Sequence, residues 1–397
     1  MKKKNKLFDV CNVYIFLWMF GFVQDLFLTS SLVSMLFYIP FLLLTVYNIG
    51  QVLFSFQLKG PMKVLSVFFV VLLCYGIVLL MLNNVMGFDR KFFLMSIFSS
   101  IGPVFSFYLY TKKGLLYENK LKAWFWPFLI IAIIAFFVSR EKGIALAIEQ
   151  GSDMEDVTNN ASYFIAGLLP FIFLLKKNRF LQYLTIIVIF YFIITSIKRG
   201  AILVGALIFV WFFNVSYTSS SKSKRWAVLL LTIILLIVSY HFVTKLYEQN
   251  DYFQHRVEQT VEGNSSNRNL MYVGLLEHFI TNDNPMQFLF GEGAYHTVNI
   301  NRGFKAHNDW LELLIDCGLV TTMIYVIYWI SFFVVITKNK SNAMIYFMLG
   351  ASFIYTLTRT FFSMSFDDTP FFVSMIIGYC FANARINVSQ DYYKLNC

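Results

Sequence analysis

Charge is the scarcest property of this chain. Only 14% of its 397 residues are Asp, Glu, Lys or Arg, where a soluble domain carries about 25%. With 58% of residues hydrophobic, a water-soluble globule is excluded. Proline is scarce too, seven against 46 Phe, so little interrupts the apolar runs. Strict apolar–polar alternation is missing, and with it the strand pattern of a membrane barrel. The five cysteines, Cys11, Cys74, Cys317, Cys380 and Cys397, lie in or beside apolar runs or at the C-terminus. No disulfide framework follows from them, and no pair has metal-ligand spacing. Neither an internal repeat nor a Gly/Ser-rich linker marks a second domain.

What remains is a succession of long apolar runs. A bilayer core of about 30 Å takes roughly 20 residues at 1.5 Å each, and in hydrocarbon every backbone polar group must be satisfied within the segment. The runs therefore predict an all-α fold, a polytopic membrane helical bundle forming a single integral domain over 1–397. Spans are expected at 10–30, 32–56, 62–83, 92–110, 123–138, 161–175, 180–196, 200–217, 226–244, 318–337, 342–362 and 370–385, about twelve in all. The first follows Met1-Lys-Lys-Lys-Asn-Lys6 without a small-residue cleavage site, as an uncleaved first span does. The one substantial hydrophilic stretch, 245–305, is expected to form a long helical loop between spans nine and ten.

The net charge of +10 does not point to nucleic acid, because the basic residues are sided. With the N-terminus in the cytoplasm, the segments on that side hold 20 of the 32 basic residues and only three acids, Asp9, Glu118 and Asp391. This is the positive-inside pattern. It predicts both termini in the cytoplasm and the 245–305 loop on the outer face. A second outer loop, 139–160, carries Glu141, Glu149, Asp153, Glu155 and Asp156; it reads as a solvated face or as the border of an entrance.

One short loop breaks the charge rule. Lys198 and Arg199, followed by Gly200, stand between two apolar runs on the outer side. Charge at membrane depth is expensive and usually paired or functional, and snorkelling to the interface is the plainer alternative. Downstream, Arg268-Asn-Leu-Met-Tyr272 opens an amphipathic helix. A cation in a first helical turn opposes the helix dipole, so either an anion or an ion pair with Glu258 or Glu262 is expected there. The third segment, His307-Asn308-Asp309-Trp310-Leu311-Glu312, leads to Gly318. Asp309 and Glu312 have capping-box spacing and Gly318 suits a C-terminal cap, while Asp309, Glu312 and Asp316 share one helix face. His307 just precedes that helix, where the positive dipole end favours the neutral imidazole that a general base needs. Gly291-Glu292-Gly293 is a turn signal with no preceding strand to make a nucleotide loop. Asp25 and Arg359, each within a span, are expected to serve structure, paired inside the bundle.

In this order and with this shared sidedness, the Lys198-Arg199-Gly200 turn, the long outer loop, the Arg268-x-x-x-Tyr272 helix and the His307-Asn-Asp-Trp-Leu segment resemble the O-antigen ligase and polymerase superfamily. Residue-level similarity covers about 195–205 and 255–320. The resemblance implies a glycosyltransferase of the bacterial inner membrane with a GT-C-like fold. Such a protein transfers a glycan from an undecaprenyl-diphosphate-linked oligosaccharide on the periplasmic side, without metal or other cofactor. It implies Arg199 and Arg268 as ligands of the diphosphate and His307 as the base for the acceptor hydroxyl. Asn308 or Asp309 would orient the imidazole, and Lys198, Tyr272, Arg302 and Lys305 would support the site. Its partners would be the lipid bilayer and, in a polymerase, a chain-length regulator. The His-Asn-Asp-Trp-Leu form, with Lys305 where a further His would stand, looks more like the polymerases than the ligases. A flippase or transporter is the third alternative; such proteins tend to carry repeats and midplane charges, and neither stands out here.

Overall fold

A computed structural model describes residues 9–27, 31–81, 90–149, 158–261, 268–301, 303–363, 365–366 and 368–385. The chain opens with α1 (Val10–Phe27), α2 (Ser31–Ser55) and α3 (Pro61–Met81), followed by an interrupted pair, α4 (Arg90–Ser100) and α5 (Gly102–Lys112), and by α6 (Glu118–Glu149). Next come α7 (Ala161–Ala166), a 3₁₀ stretch over Leu169–Leu175, α8 (Arg179–Thr195), α9 (Arg199–Thr218) and α10 (Lys222–Gln249). Short helices occupy the hydrophilic stretch: α11 (Asp251–Val261), α12 (Arg268–Ile280), α13 (Pro285–Phe290), α14 (His296–Ile300) and α15 (Asp309–Asp316). α16 (Gly318–Lys338), α17 (Ala343–Phe362) and α18 (Phe371–Asn383) complete the bundle. No strand occurs among the described residues.

Eight of these helical segments are long and apolar enough to cross a membrane: α1, α2, α3, the α4–α5 run from Phe93, α6, α9, α10 and α16. The 161–175 segment, α8 and α18 are shorter apolar helices. Proline accounts for two interruptions. Pro103 starts α5 and Pro170 starts the 3₁₀ stretch, where a missing N–H does least harm. One expected outer loop begins as helix. Residues 139–149 continue α6, because Ala145, Leu146 and Ala147 are strong helix formers; Asp153, Glu155 and Asp156 lie outside the described residues.

The core forms where α5 and α18 pack. Nearly every residue of both helices is buried, and a Cβ on Gly378 would stand 2.5 Å from the Val104 carbonyl oxygen. Aromatic rings interlock around this pair, with Trp18 stacked on Phe371 at 4.4 Å and Phe164 edge-on to Phe372 at 4.6 Å; such pairs add about 1 kcal/mol each beyond burial. In contrast, α10 exposes Ile233, Ile234, Leu236, Ile237 and Val238, a face suited to lipid. The two ends of the bundle differ. At one, Lys120 pairs with Asp9 at 2.6 Å and the Lys112 ammonium donates to the carbonyl of Ala382, near the end of α18. At the other, the start of α18 meets the α8–α9 turn, the end of α17 and the starts of α12 and α15 around one cavity.

Candidate functional site

The cavity holds about 520 Å³ and is lined by Asn160, Tyr163, Phe164, Lys198, Arg268, Lys305, His307, Arg359, Phe362, Ser363, Asp368 and Pro370. That size suits a small-molecule or headgroup site. Two further cavities, of about 40 and 10 Å³, are far smaller and mostly apolar. Four lining residues are cations and one, Asp368, is an acid. Thus Lys198, Arg268, Lys305 and His307, expected from three separate stretches of sequence, are brought together.

A strained turn delivers Lys198. Between α8 and α9 the backbone reverses through Ile197 at φ +57°, a region costly for a β-branched residue. The Ser196 carbonyl accepts from the Asn159 N–H at 3.0 Å, and Asn159 Nδ2 donates to Phe136 O at 2.8 Å, which ties the turn to α6. Gly200 allows the close approach: a Cβ there would stand 1.9 Å from the Tyr163 hydroxyl oxygen. Lys198 then caps the start of α9 with its side chain at the cavity. Among the described residues no carboxylate pairs with it. Burial, reinforced by Arg268, Arg256 and Arg199, pushes its pKa down to about 8. Arg199 itself is the first residue of α9, close to Arg256 and Arg268 but not in the cavity wall. Lys198, expected as support, lines the cavity, while Arg199, expected as the ligand, stands beside it outside the wall.

Arg268 is the first residue of α12, and its Nη1 donates to Phe362 O at 2.9 Å. One helical turn on, the Tyr272 hydroxyl reaches Phe361 O at 3.5 Å, so this face of α12 docks on the C-terminal end of α17. The alternative ion pair is not formed with Glu258, which instead accepts from Gln254 Nε2 at 3.1 Å; Glu262 lies outside the described residues. Lys305 holds its ammonium 5.1 Å from the centroid of the Tyr295 ring. Arg302 also lies outside the described residues.

His307 stands at φ +54° immediately before the N-cap of α15. Its backbone N–H donates to Glu312 Oε1 at 3.2 Å, and its ring has no hydrogen-bond partner among the described residues. Burial lowers its pKa below the usual 6.5, and Arg268, Lys198 and Lys305 lower it further. The imidazole is therefore neutral at pH 7 and open to a proton.

The expected orienting residues are engaged elsewhere. Asn308, rather than Asp309, caps α15, accepting from Trp310 N at 3.0 Å and Leu311 N at 3.2 Å. Asp309 is buried and accepts from the Tyr325 hydroxyl at 2.9 Å and from Ser365 N at 3.0 Å. Neither holds the imidazole. The shared acidic face of α15 acts as a strut instead: Asp309 holds the 365–366 loop, Glu312 the His307 backbone, and Asp316 the N–H groups of Tyr295 and Thr297 at 2.8 Å each. Burial raises the Asp316 pKa to about 7. Gly318, at φ +75°, ends α15 as expected; a Cβ there would stand 2.4 Å from Gly291 N.

Arg359 is the site residue that sequence reasoning missed. It does not pair with Asp25, which lies beside Tyr38 on α2. Its Nη2 meets Asp368 Oδ2 at 2.6 Å and its Nη1 meets Asp368 O at 2.6 Å, with the Tyr163 ring 5.2 Å away. Its Nε, buried, has no partner among the described residues. An arginine inside an apolar run was the available signal; which acid it meets depends on how α17 turns into α18. No protein-family model matches the chain, and no curated protein matches its sequence.

Proposed function

We propose that the chain is a glycosyltransferase of the bacterial inner membrane that polymerises O-antigen, capsule or exopolysaccharide repeat units. In this reading it has twelve spans, both termini in the cytoplasm and the cavity at the periplasmic end. The observation that carries the reading is the meeting of Lys198, Arg268 and Lys305 with an unengaged neutral His307 around one cavity, beside the Arg359–Asp368 pair. A cavity with surplus cation calls for an anion. A lipid diphosphate supplies it, and guanidinium groups bind phosphate oxygens bidentately while staying charged.

The chemistry follows from these positions. The carrier diphosphate sits among the cations, which stabilise the negative charge it gains as it leaves, by several kcal/mol in a partly dehydrated site. An acceptor sugar hydroxyl attacks C1 of the donor sugar, with inversion. The C1–O bond breaks, its electron pair leaves with the diphosphate, and the hydroxyl proton passes to His307. Elongated glycan and undecaprenyl diphosphate result. Asp368 keeps Arg359 in place at the cavity wall, and Tyr272 steadies α12 so that Arg268 faces inward.

The test is turnover of carrier-linked glycan by the purified protein in liposomes. Release of undecaprenyl diphosphate with chain growth is the expected result, and transport of the substrate without turnover would replace the enzyme by a flippase. A deletion strain separates polymerase from the ligase alternative: single repeat units left on the lipid core mean polymerase, and long chains stranded on the carrier mean ligase.

A further inference from the structure

A second cluster lies outside the cavity, on the segment between α10 and α16. His278 is in the last turn of α12, Glu292 sits in the turn between α13 and α14, and His296 begins α14. Glu292 Oε1 lies 2.7 Å from His278 Nε2, and Glu292 Oε2 lies 2.8 Å from His296 Nε2. All three ligand atoms fall within 4.8 Å of one another. The backbone is shaped to bring them there. Gly291 and Gly293 flank Glu292 at φ +78° and +108°, and the N–H groups of Glu292 and Gly293 donate to Ile315 O and Asp316 O at the end of α15. A Cβ on Gly291 would stand 2.4 Å from Asp316 O. Asn282 Nδ2 donates to Glu292 Oε1 at 2.9 Å, as an outer-shell group orients a metal-bound carboxylate.

From this we infer that His278, Glu292 and His296 form a zinc site, separate from the transfer cavity and structural in its effect. Two imidazole nitrogens with one carboxylate oxygen is a donor set that holds Zn²⁺ and leaves a fourth position open. The side chains of His278 and His296 are 37% and 32% exposed and that of Glu292 11%, so the fourth position faces solvent. Ligand atoms about 2.0–2.1 Å from the ion stand roughly 3.3 Å apart in a tetrahedron, a spacing between the 2.7–2.8 Å of the present His–Glu contacts and the 4.8 Å within which all three ligand atoms fall. The bound ion joins α12, the 291–293 turn and α14. Since that turn is hydrogen-bonded to the end of α15, the ion fixes the helix that starts with Arg268 relative to the one that His307 precedes.

The test uses the full-length chain in detergent, carrying no histidine tag and stripped with EDTA. Titration with Zn²⁺ alone, read by calorimetry and by metal analysis after gel filtration, is expected to give one ion per chain. Co²⁺ in its place is expected to show the strong visible bands of four-coordinate cobalt. His278→Gln and His296→Gln are each expected to weaken Zn²⁺ about a hundredfold or more, and Asn282→Ala about tenfold. Should a variant fail to fold, protection of residues 278 and 292–296 from hydrogen exchange by Zn²⁺ in the wild type carries the test. Absence of Zn²⁺ binding by the folded wild type overturns the site and leaves a His–Glu–His hydrogen-bonded clamp. Unchanged affinity in both folded histidine variants overturns it equally, by placing the ion elsewhere.

Discussion

Lys120 and Lys198 are both lysines withdrawn from water in the same molecule, and their surroundings are opposite. Lys120, at the end that holds Asp9, donates to both Asp9 carboxylate oxygens, at 2.6 and 2.7 Å, and to Leu115 O at 2.9 Å. Lys198, at the cavity, has Arg199, Arg256 and Arg268 for neighbours and no carboxylate partner among the described residues. Burying a cation is tolerable when an acid is buried with it. One placed among other cations disfavours its own charged state, and either loss of its proton or an incoming anion relieves that. The first arrangement serves the fold; the second is where the proposed function places the anion. The same contrast separates the hydrogen-bonded carboxylates of α15 from the unengaged ring of His307.

The contrast can be broken most severely at His307. His307→Ala is expected to lower kcat for glycan transfer by about 10³-fold, within the span of general-base contributions, with the unfolding temperature nearly unchanged; full turnover in the variant removes the base assignment. Next comes Arg268→Lys, which keeps the charge but loses the forked donor. A fall of about 10²-fold in kcat/KM is expected, and near-normal kinetics would argue against phosphate binding at that position.

A paired comparison follows. Lys120→Ala strands a partly buried Asp9 and is expected to lower stability on the order of 3 kcal/mol, with kcat/KM retained. Lys198→Ala relieves repulsion among cations, so the unfolding temperature is expected to hold or rise while affinity for inorganic pyrophosphate falls. Similar losses of stability in both variants would erase the distinction.

The smallest effect is in pH dependence. Lys198 loses its charge as pH rises through about 8, and His307 becomes neutral as pH rises through a value below 6.5. The kcat/KM profile is therefore expected to be bell-shaped between those limits. Stability has its own sign. The depressed Lys198 pKa means that between about 8 and the ordinary lysine value of 10.5 the unfolded chain binds more protons, so the stability of the empty protein rises with pH across that window. Lys198→Arg is expected to remove the alkaline limb of the profile, since a guanidinium stays charged; an unmoved limb would assign it to another group.

Much of the fold was legible because its signals are local. Among the described residues, every expected apolar run lies on a helix or an interrupted helical stretch, since the length and apolarity of a run state its preference without reference to any other part of the chain. The helical start of the 139–160 loop was not legible, because charge in Arg140–Lys142 masks good helix propensity up to Glu149. The site was legible where residue type was anomalous for its place: a lysine between apolar runs, an arginine opening a helix, a histidine before a cap. It was not legible where the answer is a distance. Asn308 capping in place of Asp309, and Glu292 gathering two histidines from separate helices, are decided by turns whose geometry no spacing rule states.

The sequence alone determined that the chain is a bundle of apolar helices and that a few misplaced cations and one histidine need explaining, because helix formation and burial depend on nearest neighbours along the chain. Only the tertiary structure decided that Lys198 faces the cavity while Arg199 does not, and that Arg359 joins it. Those choices rest on Ile197 at φ +57°, on the Gly200–Tyr163 approach and on the Arg359–Asp368 pair, a backbone state and contacts that no apolar run specifies.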